Sequence, residues 1–226
     1  MNWERWGRAA GAVFVVLTIA AFIAGGEPPT VGDPVEDVVS YFDGDRGQVL
    51  VSSYLFVIAL GFFLWFGATL ANNFRERGEG RVGATMLGAV TAFTTLQLAL
   101  TGVNAVLAYS VAGDGELGVA KALFDLTWVL DVMAAVPSAI FFLTAAAGFL
   151  RTGLAPRWLA LAALAISALF ALRTTNWASD GFWSPTGEYL FILIPLTSLW
   201  ILVTSVILFR SAAAEERTQT HPATAS

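Results

Sequence analysis

The sequence predicts an all-α polytopic membrane bundle of six transmembrane helices, with a short amphipathic outer helix between the first and second. Three observations carry this. Apolar runs long enough to cross a bilayer, about 18 residues or more, fill most of the chain. Hydrophobic residues make up 57% of it and charged residues only 13%, against about a quarter charged in a soluble domain. The arginines crowd into alternate links between the runs.

Residues 1–8 form a head with Trp3, Arg5, Trp6 and Arg8, the aromatic and basic residues that favour a cytoplasmic interface. The run 9–25 has a basic start like a secretory signal, but it is long for one and lacks a small-x-small cleavage site, so it reads as a retained helix. Residues 27–47 are polar and acidic. Within them Asp33-Pro34-Val35-Glu36 reads as a helix start, with Asp33 as cap and Pro34 in the first position. Val35, Val38, Val39 and Phe42 then share one apolar face. The opposite, acidic face would repel anionic lipid, so this helix is expected to pack on protein. Asp33, Asp37, Asp43 and Asp45 lack the ligand spacing of a calcium loop and read as solvated surface.

The second span, 49–74, carries the aromatic run Phe62-Phe63-Leu64-Trp65-Phe66. A tight turn with Arg75, Arg77 and Arg81 leads to the third, 82–111, which holds Gln97 and Asn104 among Thr91, Thr94, Thr95 and Thr101. Gly113-Asp114-Gly115-Glu116-Leu117-Gly118 matches the GxGxxG pattern, but no strand precedes it and its acids would repel a pyrophosphate. The fourth span, 119–150, contains Lys121, Asp125, Asp131 and Pro137. A second basic turn, 151–157, precedes a short Ala-rich fifth span, 158–173. There Ala163, Ser167 and Ala171 form a small-residue row suited to close helix contact, within the chain, with a second copy or with a membrane partner. An outer loop, 174–187, places Trp177 and Trp183 as interface anchors. The sixth span, 188–209, contains Pro195. The organisation is thus one membrane domain over residues 1–210 and a mobile tail over 211–226.

Charge orients the set. With the amino terminus inside, nine arginines fall on one side: Arg5, Arg8, Arg75, Arg77, Arg81, Arg151, Arg157, Arg210 and Arg217. Only Arg46, Lys121 and Arg173 lie toward the other. Basic bias marks the cytoplasmic face, so both termini are expected there.

The fourth span bears the residues that most need explanation. A carboxylate in hydrocarbon costs about 2.5–3.5 kcal/mol on insertion scales, so it faces protein or a wet cavity. Lys121 and Asp125 are four apart and share a face, where they are expected to pair near the outer interface. Asp131 lies on a different face and needs its own partner. Arg173, Glu188, Asn104 and Gln97 fall at compatible depth. Two readings of Asp131 stand side by side: the centre of an outward-facing polar pocket that binds a cation or carries a proton, or half of a structural pair with Arg173 or Asn104. Pro137 and Pro195 each free a carbonyl inside a span, as a kink or as the lining of a site.

Other chemistry is excluded or unsupported. There is no cysteine, hence no disulfide, thiolate metal site or thiol redox step. The single histidine, His221, lies in the polar tail, which removes histidine-ligated haem and two-histidine zinc motifs. No cofactor is expected, and a net charge of −5 gives nucleic acid nothing to bind.

The acidic first loop, the aromatic helix of Phe62 to Phe66, the basic turn, and Leu150-Arg151-Thr152-Gly153 running to Pro156-Arg157-Trp158-Leu159 together resemble a group of uncharacterised bacterial integral membrane proteins. These are common in actinobacteria and carry a domain of unknown function. The resemblance implies six helices and a bacterial plasma membrane, and brings no activity or catalytic residue with it. The functional expectation is a membrane protein that binds or passes a small solute or ion through Asp131, Asp125, Arg173, Asn104, Glu188 and Gln97. The alternative is a non-transporting accessory or scaffold subunit.

Overall fold

A computed structural model describes residues 3–220, with side chains over 6–210. His221 lies outside the described residues, as does the rest of the expected tail beyond Thr220. The described chain is helical, with no strand among its residues. Seven α-helices follow in order: α1 (Trp3–Gly25), α2 (Val35–Gly44), α3 (Arg46–Glu76), α4 (Gly80–Val106), α5 (Leu117–Thr152), α6 (Arg157–Arg173) and α7 (Glu188–Thr220). A π-helical turn, Leu107–Val111, and a 3-10 turn, Ala112–Asp114, extend α4 toward α5.

Five helices are long and apolar enough to cross a membrane: α1, α3, α4 with its extension, α5, and α7 as far as Arg210. The helix expected as the fifth span, α6, forms where the sequence places it. At 17 residues it is about 25 Å long, short of a hydrocarbon core of about 30 Å. Large apolar side chains on the outer surface, among them Val16, Ile23, Leu161, Phe191 and Leu199, suit contact with a bilayer.

The long helices close into a ring. Each packs on the next, α1 on α3, α3 on α4, α4 on α5 and α5 on α6, and α7 then meets both α6 and α1. Tight turns join the members at the arginine-rich end. Gly78 and Gly153 sit in two of them with φ of 87° and 65°, a conformation that a side chain disfavours. That end is solid. Ala10, Phe66, Leu70, Phe74, Met86, Phe141, Phe149, Leu159, Ile166 and Leu208 belong to one buried cluster across six helices. Packing is close enough that a Cβ on Gly148 would clash with the Phe74 ring, and one on Gly67 would lie 2.7 Å from Val90 Cγ2. Arg8, buried on α1, donates to Asn73 Oδ1 and to the Leu208 carbonyl, both at 3.3 Å, and so ties α1, α3 and α7 together.

Helix α2 leans on α5, α3 and the π-helical turn. Val38 and Phe42 are buried while Glu36, Asp37 and Asp43 are exposed, the division that its apolar spacing predicts. Its capping differs from expectation. The residue before the helix is Pro34, and the Asp33 carboxylate accepts instead from the Thr30 N–H at 2.6 Å, closing the turn that precedes it. A bond from an aspartate side chain back to the backbone three residues earlier is a local alternative to capping.

Neither proline breaks its helix: α5 runs unbroken through Pro137 and α7 through Pro195. Two of the three members of the small-residue row on α6 serve contact within the chain, while Ala171 is exposed. Ala163 and Ser167 are buried, and Ser167 Oγ donates to the Ala139 carbonyl of α5 at 2.7 Å.

Candidate functional site

The ring that is solid at its arginine-rich end is hollow toward the other. A cavity of about 330 Å³ lies there, and all seven helices contribute to its wall. The aromatic rings Phe14, Phe93 and Phe170 line it next to the solid core, and the mouth is edged by Phe22, Gly26 and Pro28, which are exposed. Most of the wall is apolar. About half of its polar residues come from α4, as Gln97, Thr101 and Asn104, and from α5, as Thr127, Asp131 and Ser138. On each helix these residues recur every three, four or seven positions, the spacing that aligns them along one face.

Asp131 is the hub. Arg173 Nη2, at the end of α6, donates to Asp131 Oδ2, and Gln97 Nε2 on α4 donates to Oδ1 at 3.1 Å. The Arg173 side chain is 2% exposed and that of Asp131 22%, so the guanidinium is embedded in protein while the carboxylate borders the cavity. Arg173 Nη2 also lies 3.5 Å from the Pro185 carbonyl in the loop after α6. The two charges sum to zero, and both carboxylate oxygens hold a donor. Of the six residues expected to form a site, the structure brings four together: Asp131, Arg173, Gln97 and Asn104.

It does not bring the other two. Asp125 is half-exposed and pairs with Lys121 Nζ at 2.7 Å, as its spacing predicts, and Lys121 also donates to the Val31 carbonyl at 3.0 Å. Six residues of helix rotate Asp125 away from Asp131 and from the cavity. Glu188 is exposed at the start of α7, in a separate shallow pocket with Thr30, Asp180 and Thr186. It begins its helix at the surface, where no burial forces it inward. All three cations of this end are engaged, since Arg46 stacks 5.4 Å from the centre of the Tyr109 ring.

Several lining residues had no role in the sequence reading: Thr18, Tyr41, Ser52, Thr127, Trp128, Ser138 and Thr197. The stripe on α5 was open to detection, because Thr127, Asp131 and Ser138 repeat at helical spacing. The lining hydroxyls of α1, α3 and α7, one or an adjacent pair on each helix, carried no such signal. Some of them join helices: Ser52 Oγ donates to the Ala21 carbonyl at 2.8 Å, and the Tyr41 hydroxyl to the Gly25 carbonyl at 2.7 Å. Burial, and then the nearby Asp45 carboxylate, push the Tyr41 hydroxyl above its ordinary pKa.

Four polar atoms of lining residues are buried without a protein partner: Thr18 Oγ1, Trp128 Nε1, Arg173 Nη1 and Thr197 Oγ1. Asn176, fully buried three residues past Arg173, leaves both side-chain polar atoms in the same state. Among the described residues, no cluster of acidic and histidine side chains suited to a metal ion occurs. Comparison with protein-family models, with curated proteins and with solved structures finds no match to this chain.

Proposed function

We propose that this chain is an integral membrane protein whose cavity binds, or passes, a small solute. The observation that carries the reading is the asymmetry of the bundle: tightly packed in one half, hollow in the other, with a polar cluster on the wall of the hollow. A bundle kept only for rigidity gains from filling such space, because each unfilled volume forfeits dispersion contacts. In this reading α6 is the sixth span. It carries the chain from the basic turn after α5 to the cavity end, where α7 starts, and its short length is offset by local thinning of the bilayer. The arginine bias places the solid end and both termini in the cytoplasm and the cavity on the outer side of a bacterial plasma membrane. The resemblance to uncharacterised bacterial integral membrane proteins supports the same placement.

The test is solute-dependent stabilisation of the purified protein in lipid nanodiscs. A ligand at a hundred times its Kd adds about 2.7 kcal/mol to a fold that binds it only when native. The cavity-filling variant Ser53→Trp, at a half-buried lining position, should lose that response. If no member of a broad solute panel raises the thermal midpoint, or if Ser53→Trp responds equally, the reading fails.

One observation favours the accessory or scaffold alternative. Arg173 satisfies Asp131 from within the chain and so pins α6 to α5, a structural use for both charges. A partner that co-purifies at fixed stoichiometry, together with no solute response, would select that reading.

A further inference from the structure

Resting on the cavity as a binding site, we infer the chemical class of its occupant: an uncharged, largely apolar molecule carrying a carbonyl-type hydrogen-bond acceptor. The argument begins with the charges. Asp131 and Arg173 neutralise each other, and Gln97 takes the second carboxylate oxygen. A cation in the cavity would find its carboxylate already paired. An anion would add net charge to a wall that is mostly apolar, where an ion without its own partner is heavily penalised.

The hydrogen-bond inventory sets the polar end. Trp128 Nε1 is a donor only, and so is Arg173 Nη1; both are buried in residues of the cavity wall without a protein acceptor. A buried donor left unmet is the costly case, whereas a spare lone pair on an oxygen is cheap. The hydroxyls of Thr101, Thr127 and Ser138 donate to the Gln97, Phe124 and Ala134 carbonyls of their own helix, and although their lone pairs remain free, neither donor makes a hydrogen bond to them. An occupant that brings its own acceptor is the one that meets these donors. A ketone, ester or quinone oxygen provides one with no charge.

The rest of the wall sets the body of the molecule. Phe14, Phe56, Phe93, Phe124, Phe170 and Leu193 surround the space. At about 330 Å³ it falls at the low end of small-molecule sites, which run from about 300 to 1,000 Å³. A chain or ring system of modest size fits, reaching the polar cluster with one end.

The experiment measures equilibrium binding to the full chain in nanodiscs, with empty nanodiscs subtracted. Four radiolabelled probes share one apolar body: methyl laurate, laurate, dodecylammonium and dodecane. The inference predicts saturable binding of methyl laurate ahead of the other three. Trp128→Phe keeps the ring packing and removes the donor, and should weaken that binding about threefold to tenfold. Thr197→Val, which deletes a hydroxyl at nearly constant volume, should weaken it less. Preference for dodecylammonium or laurate overturns the proposed class while leaving the cavity a binding site. Equal binding of dodecane and methyl laurate, unchanged by Trp128→Phe, overturns the role given to the donors. If none of the four binds but another solute from the stability panel does, the class is wrong and the reading beneath it stands. If no solute of either set binds, both fall together.

Discussion

Arg173, the last residue of α6, closes on Asp131, midway along α5, and does so from a position almost sealed from solvent. The pair fixes the short helix against its long neighbour at the edge of the cavity. It also sets the electrostatics of that cavity, which is polar at one place and neutral in sum.

Asp131→Asn should be strongly destabilising. The change keeps shape and strands the Arg173 guanidinium, and breaking a buried pair by removing one partner costs about 3–5 kcal/mol. The low end of that range applies, because Asp131 borders the cavity and Gln97 can turn toward the new amide. Joint replacement, Asp131→Leu with Arg173→Leu, should recover most of the loss. The thermal midpoints of the three proteins in one detergent check this; an unchanged midpoint for Asp131→Asn contradicts a structural role for the pair.

Asp125→Asn provides the contrast. Its carboxylate is half-exposed and meets Lys121 at 2.7 Å, and such pairs are worth under about 0.5 kcal/mol once solvent screening is allowed for. Its midpoint should stay close to that of the parent protein. A loss as large as that of Asp131→Asn would show that Asp125 is buried by lipid or by another chain.

Gly148→Ala tests the solid half. A methyl group there overlaps the Phe74 ring, and Phe74 is itself fully buried. Overpacking of this kind costs about 1–3 kcal/mol, and the upper part of the range is expected because α3 and α5 are held by turns at both ends. Gly88→Ala, where an added Cβ meets open space, should be neutral or slightly stabilising. Denaturant midpoints of the two variants should therefore move in different directions.

Tyr41 supplies a pH dependence. Its hydroxyl donates to the Gly25 carbonyl, and its pKa in the folded chain lies above the unfolded value of about 10. The folded state thus favours the protonated form. Its contribution is fully present below pH of about 10 and is lost as pH rises through the raised folded value. Stability of the parent protein should fall more steeply above that point than stability of Tyr41→Phe, and the two curves should converge at high pH. Parallel curves would remove the linkage.

The helices were legible because each long apolar run is bounded by charge or by glycine, and α2 because Val35, Val38, Val39 and Phe42 share one face. The partnership of Asp131 with Arg173 and Gln97 was within reach for a different reason: a carboxylate in an apolar run demands a donor, and few donors lie at its depth. Depth along a span could be read, but direction around it only in part. Glu188 has the right depth and remains at the surface. The cavity itself had no signature, since Thr18, Ser52 with Ser53, and Thr197 with Ser198 lie in three separate helices, without a repeat at helical spacing, and are brought together by the packing of α1 on α3 and of α7 on α1. The helix start was misread by one residue, since Pro34 and not Asp33 precedes the helix and the Asp33 carboxylate accepts from the Thr30 N–H instead.

The chain contains no cysteine, so a single introduced thiol reports without background. Asn104→Cys places one on the cavity wall, and Ala146→Cys places one in the solid core. The decisive measurement is the rate at which a small, membrane-impermeant methanethiosulfonate labels each variant in intact cells. The account predicts that Asn104→Cys reacts from outside, that bound solute slows it, and that Ala146→Cys does not react. If Asn104→Cys is as inert as Ala146→Cys, or reacts only after the cells are lysed, there is no outward-facing binding cavity.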